Sequence, residues 1–254
     1  LRDGATRVAR SLTALGVRRG EHIGLLIPNC VEFAEAILGV ALLGCVAVPL
    51  NARHKATELG YIIRNAHLVA ILTSRHSDDP VDFPVVLASG LEGEPAPHLE
   101  HIVLVRGNGG ERVMDVATFQ ALADHVDASV IETRRRQVRV RDAALIIYTS
   151  GTTANPKGCV LSHEAVTRGP VERARYRLKA PGHDVVWGAG PLFHIGTFAP
   201  FVGSLGVAGT FLTDGHFEAG RALRLMYDEK VTLTWPWFPA IMQGLLGHPS
   251  FDPA

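Results

Sequence analysis

The sequence predicts an α/β fold made of two halves, each a mainly parallel sheet covered by helices. Three observations lead there. The chain has 254 residues, 47% of them hydrophobic, enough to bury one large core or two small ones. Short apolar runs alternate with segments whose apolar residues recur at helical spacing. Glycine, proline and asparagine stand at the joints, where turns and helix ends need them. Strand–helix–strand repetition builds parallel sheets, because a helical crossover carries the chain back to start the next strand in the same direction.

The elements follow in order. Leu1, Ala5, Val8, Leu12 and Leu15 share one helical face, and Gly16 stops that helix. His22 to Pro28 reads as a strand, Val31 to Leu43 as a helix and Cys45 to Leu50 as a strand. Thr57 to Ala66 reads as a helix capped by Thr57, and Leu68 to Thr73 as a strand. Ser74 to Pro97, interrupted by Pro80, Pro84 and Pro95, reads as loops between elements, and RGNGGER at Arg106 to Arg112 as a turn. Beyond RRRQVRVRD at Arg134 to Asp142 the alternation resumes with a strand Ala144 to Tyr148, a helix near Ala165 to Leu178 and a strand Val185 to Ala189. Ile195 to Leu212 reads as a helix, a break and a strand from Val207. Helix Glu218 to Asp228 and strand Val231 to Trp235 come last, with Trp235, Trp237 and Phe238 as core filling. Two halves, about 1–135 and 142–254, therefore meet near Arg134 to Asp142.

Charge and composition exclude several function classes. Lys plus Arg and Asp plus Glu number 25 each, so no net field points to nucleic acid or an anionic membrane. The arginines from Arg134 to Arg141 lack interleaved aromatics for base stacking and read as a solvated connector. The apolar runs Ala36 to Leu50 and Ile195 to Leu212 approach the roughly 18 to 20 residues of a membrane span, but glycine and proline break both. Cys30, Cys45 and Cys159 show neither CxxC nor metal-ligand spacing, which predicts buried thiols in a reducing cytoplasm. His98 and His101 are expected in a loop, with no ligand set for a structural zinc. The chain opens in mid-helix without a signal segment, so an earlier start is expected.

The stretch IIYTSGTTANPKGCVLSHE, Ile146 to Glu164, carries the chemistry. A strand ending at Tyr148 delivers Thr149, Ser150, Gly151, Thr152 and Thr153, with Lys157 close behind. Four hydroxyls and unhindered backbone N–H groups donate to anionic oxygens, and an ammonium adds a movable point charge. A polyphosphate suits such a cradle. Composition alone leaves open that the loop only turns the chain. A Walker A loop is excluded, because Pro156 and Gly158 stand where that motif needs glycine and Ser or Thr. Ser204 in FVGSLGV fails the nucleophile elbow at Val202, and GAGPLF at Gly188 lacks the third glycine of a dinucleotide fingerprint.

The order of residues goes further. YTSGTTANPKGCVLSH resembles the phosphate-binding signature of the adenylate-forming (AMP-binding) superfamily, which includes acyl-CoA synthetases, luciferases and peptide-synthetase adenylation domains; Ala154 stands where the family usually has glycine. ALGVRRGEHIGLLIPNCVEFAEAILGVALLGCVAVPLN resembles the family's first strand and helix region, and GPLFHIGT at Gly190 to Thr197 its substrate-side motif. The resemblance implies the N-terminal part of the large domain of a fatty-acid–CoA ligase type of acyl-CoA synthetase, with ATP, Mg2+ and coenzyme A as its cofactors and co-substrates and a small-molecule carboxylic acid of any chain length as its substrate. It assigns phosphate binding to Thr149, Ser150, Gly151, Thr152, Thr153 and Lys157, and catalytic roles to Lys157 and to His194 beside the carboxylate. A lone histidine is also compatible with a purely structural place. Family members run to roughly twice this length, and the adenine, ribose, hinge and C-terminal lysine motifs, with the metal-binding carboxylate, are expected beyond Ala254. On that reading residues 1–254 alone are inactive. Amino-acid adenylation is disfavoured because Phe193 and His194 stand where an aspartate for the substrate amine is usual. A non-catalytic α/β binding module remains the alternative from another class.

Overall fold

The computed structural model describes residues 1–51, 53–77, 79–109, 112–149, 155–177 and 182–252. They divide into two units, Leu1–His163 and Glu164–Ala254. The division falls beyond the expected junction at Arg134 to Asp142, because the strand after that junction joins the first sheet.

In the first unit, α1 (Arg2–Ala14) buries Ala5, Val8, Ala9 and Leu12 on the face the spacing predicts. Gly16 follows with φ +86°, the left-handed stop that glycine accepts most readily. Helices α2 (Val31–Leu42) and α3 (Ala56–Asn65) alternate with β1 (His22–Leu26), β2 (Val46–Pro49) and β3 (Leu68–Arg75). Further on come α4 (Phe83–Leu91), β4 (His101–Gly107), α5 (Val116–Leu122), α6 (Ala128–Gln137), β5 (Ala143–Thr149) and β6 (Lys157–Ser162). Among the described residues the strands form one sheet in the order β4-β3-β1-β2-β5-β6. Every pairing is parallel except β5 with β6. β2 is buried along its whole length, as a strand covered on both faces must be. The core packs Val48, Leu50, Leu59, Ile62, Ile63, Ile71 and Phe83 together.

Several expectations are corrected. Thr57 does not cap α3: the Glu58 carboxylate accepts from the Lys55 N–H at 3.0 Å, so the helix starts one residue earlier than expected. The stretch Ser74 to Pro97 contains α4, capped by Asp82, which accepts from the Val85 N–H. Pro84 therefore sits in the first turn, where a missing N–H costs nothing. A Cβ on Gly60 would stand 2.0 Å from the Gly90 carbonyl oxygen, so glycine is what lets α3 and α4 meet. His101 opens β4 rather than lying in a loop, and Arg106 belongs to that strand rather than to the turn. Arg134, Arg135 and Arg136 form the last turn of α6, where Glu132 holds the latter two; cations favour that helix end.

The second unit has all but the first residue of α7 (His163–Arg177), then β7 (Val185–Gly188), α8 (Ile195–Gly206), β8 (Thr210–Thr213), α9 (Ala219–Asp228), β9 (Leu233–Trp235) and α10 (Pro239–Leu246). Among the described residues its sheet is parallel, in the order β8-β7-β9. Leu178, expected in α7, lies outside the described residues. Glu218 caps α9 through the Gly220 and Arg221 N–H groups. Trp187, buried with Ala222, Leu223 and Leu245, fills this core. Trp235 and Trp237 are only half-buried and Phe238 is 52% exposed, which corrects their expected role as core.

The cysteines also divide. Cys45 is buried, Cys30 partly so and Cys159 exposed on β6, against the expectation that all three are buried. Removal from water pushes the Cys30 and Cys45 thiols up to about 12, leaving almost no reactive thiolate at neutral pH. Brief iodoacetamide treatment at pH 7.5 should therefore add one carbamidomethyl group, and Cys159→Ser should abolish it. Equal labelling at Cys45, read by peptide mass spectrometry, would contradict its burial at the entry to β2.

Candidate functional site

The expected phosphate loop joins β5 to β6. Strand β5 is driven inward by Ala144, Leu145, Ile146 and Ile147, all buried. Its end is tied down by Tyr148, whose hydroxyl donates to Asn65 Oδ1 at 2.6 Å. Burial, with a smaller contribution from Tyr61, pushes this phenol up to about 12, so it remains a donor across the working pH range. Gly158 lies opposite Tyr148 in the antiparallel register. A Cβ there would approach Ile146 Cγ2 at 3.0 Å and Tyr148 Cζ at 3.2 Å, so the missing side chain of Gly158 is what seats the tyrosine ring.

Thr149 and Lys157 face each other as the final pair of this ladder. Both are exposed. Among the described residues Lys157 has no ion-pair partner, so its ammonium is available to a ligand. Ser150, Gly151, Thr152 and Thr153, with Ala154, lie outside the described residues. The sequence misses β6 altogether, because its exposed edge lacks the apolar alternation of a half-buried strand. It likewise gives no sign of the Tyr148–Asn65 tie, whose partners are far apart in the chain.

His194 belongs to the second unit and caps α8. Its Nδ1 accepts from the Gly196 N–H at 3.1 Å. That bond assigns the proton of the neutral ring to Nε2, leaving an N–H donor on an exposed side chain. The ring stands edge-on to Trp237 with centroids 5.0 Å apart, and Trp237 leans on Phe238 at 4.1 Å. Trp235 Nε1 donates to the Gly196 carbonyl at 2.8 Å, bracing the same turn. Trp237 has φ +68°, a left-handed conformation that costs a bulky residue about 1 to 3 kcal/mol. Neither its conformation nor its contact with His194 was readable from the sequence.

Among the described residues no three His, Cys, Asp or Glu side chains gather as a metal site, and no helix is long and apolar enough to cross a membrane.

The chain is 29% identical over 254 residues to the long-chain-fatty-acid–CoA ligase FadD13 of Mycobacterium tuberculosis, covering 97% of this chain and 45% of that protein. It is 31% identical over 241 residues to the 4-coumarate–CoA ligase-like protein 3 of Oryza sativa subsp. japonica, covering 91% of this chain and 39% of that one. The chain spans about half the length of the curated relatives it matches. The inhibitor-bound crystal structure of the N-terminal domain of FACL13 from Mycobacterium tuberculosis superposes with a TM-score of 0.78 at 27% identity, over 98% of this chain and 57% of that one. The family model for AMP-binding enzymes matches residues 1–254, and the chain belongs to that family.

Proposed function

We propose that the protein is an ATP-dependent carboxylic acid:CoA ligase that works through an acyl-adenylate. In the first step a carboxylate oxygen of the acid attacks the α-phosphorus of ATP. The bond to the β-phosphate bridging oxygen breaks, and pyrophosphate leaves with the electron pair. In the second step the thiol sulfur of coenzyme A attacks the acyl carbon, and AMP leaves. The observation that carries this reading is the β5–β6 hairpin, which presents Lys157 and Thr149 side by side at the mouth of a hydroxyl-rich loop. The CoA-ligase relatives support it.

Each residue has a role. The ammonium of Lys157 and the hydroxyls of Thr149, Ser150, Thr152 and Thr153, with the backbone at Gly151, hold the β- and γ-phosphates. Fixed there, they offset the charge that moves onto departing pyrophosphate and keep it in line with the attacking oxygen. His194 donates its Nε2–H to the carboxylate of the acid. A magnesium ion accompanying ATP would neutralise phosphate charge; no three His, Cys, Asp or Glu side chains gather among the described residues, and no residue is assigned to hold it. With three free cysteines and no net charge, the reading is of a cytoplasmic enzyme of fatty-acid metabolism.

Pyrophosphate release by the full-length protein, measured with ATP across short, long, aromatic and amino acids, tests the proposal. Release with carboxylic acids that lack an amino group, followed by thioester on adding coenzyme A, is the expected result. A response confined to amino acids, or to no acid at all, would overturn it.

A further inference from the structure

Trp237 is the one aromatic residue held at positive φ among the described residues other than histidine, and it lies against the residue assigned to the substrate carboxylate. Its indole is packed tightly. A Cβ on Gly196 would fall 2.5 Å from Trp237 Nε1, and one on Gly190 would fall 2.8 Å from Trp237 Cδ2. Two glycines thus give up their side chains where the indole rests. The same Cβ on Gly190 would fall 2.1 Å from Thr197 Oγ1. That hydroxyl is fully buried and has no hydrogen-bond partner among the described residues.

Nothing in the hydrophobic core requires this arrangement, since Trp237 is only half-buried and does not join the cluster around Trp187. Backbone strain retained outside the core marks a position that the surrounding structure holds for another purpose. The left-handed backbone turns the indole onto the first turn of α8, beside the imidazole rather than out to solvent.

We infer that Trp237 is a specificity-determining residue that limits the bulk an acid carries next to its carboxylate. This rests on the CoA-ligase reading and on His194 meeting the carboxylate. With the indole wedged between Gly190, Gly196 and His194, an acid unbranched at the α- and β-carbons has room beside the imidazole. An α-methyl, a β-dimethyl or a ring carbon in the same place collides with the indole. The substrate class that follows is aliphatic acids unbranched next to the carboxylate.

The test compares wild type with Trp237→Gly in the full-length protein, using butanoate, 2-methylbutanoate, 3,3-dimethylbutanoate and benzoate in a pyrophosphate-release assay. Glycine accepts φ +68° without strain, and an unchanged melting temperature checks the fold. The expected result is a rise of about tenfold or more in kcat/KM for the bulky acids relative to butanoate, the scale on which a packed pocket discriminates a single carbon. Trp237→Phe, which retains an aromatic ring there, should keep most of the wild-type ranking. Equal loss with every acid means that Trp237 only braces the turn, and overturns the inference while leaving the ligase reading intact. Failure of wild type to activate any acid would remove both.

Discussion

Lys157→Ala in the full-length protein should lower kcat/KM for ATP by about ten- to more than hundredfold while leaving the fold unchanged. The side chain opens β6 at an exposed position, and among the described residues it pairs with no carboxylate. Its removal therefore takes nothing from the core, and exposed substitutions of this kind change stability by about 0.5 kcal/mol or less. A charge-assisted hydrogen bond to phosphate contributes about 1.5 to 3 kcal/mol, which is the stated loss in rate constant. Lys157→Arg should restore part of it, since the charge remains but the planar fork differs from a compact ammonium. The ladder pairing of Lys157 with Thr149 runs through backbone atoms, so the loop keeps its exit strand in both variants. If ATP kinetics below saturation are unchanged in Lys157→Ala, the loop is a turn and not a phosphate cradle.

What the sequence reveals and hides follows from which physical signals are local. Strands β1, β2 and β3 are legible because both faces are buried, which makes them continuous apolar runs. The face of α1 is legible because its period matches the helix. Helix α4 is hidden because prolines read as interruptions, whereas Pro84 in a first turn begins a helix. Helix α10 is hidden in the same way by Pro239 at its first position. The site divides similarly. Thr149 and Lys157 are legible because the order of residues around them is itself a signature. The Tyr148–Asn65 bond joins residues from two elements that only the folded sheet brings together, and no local pattern announces it. A tryptophan at positive φ is less legible still, because sequence statistics assign that region to glycine and asparagine. Ala154, the one departure from the signature, lies outside the described residues.

Trp187→Ala should be the most damaging single substitution in the second unit, unfolding it while the first remains intact. Trp187 is completely buried on β7 and packs with Ala222, Leu223 and Leu245. Its ring lies 6.3 Å from that of Phe217. Truncating a buried tryptophan costs about 3 to 5 kcal/mol. The indole also donates Nε1–H to Asp214 Oδ2 at 3.2 Å. Asp214 is nearly buried, with Arg221 Nε 3.2 Å from its other oxygen, so losing the indole withdraws one donor from a charged group that water barely reaches. That adds about 1 to 3 kcal/mol. Together these approach the whole stability of a small domain, about 5 to 15 kcal/mol. Limited proteolysis should then cut within 164–252 and spare 1–163. Trp187→Phe separates the two contributions, because it retains most of the packing and removes only the N–H. It should cost about 1 to 3 kcal/mol alone, and less when combined with Asp214→Ala, since the partner left short of a donor is then gone. Additive losses in that double mutant would show that the 3.2 Å contact contributes nothing, and the packing of the ring alone would account for the burial of Trp187.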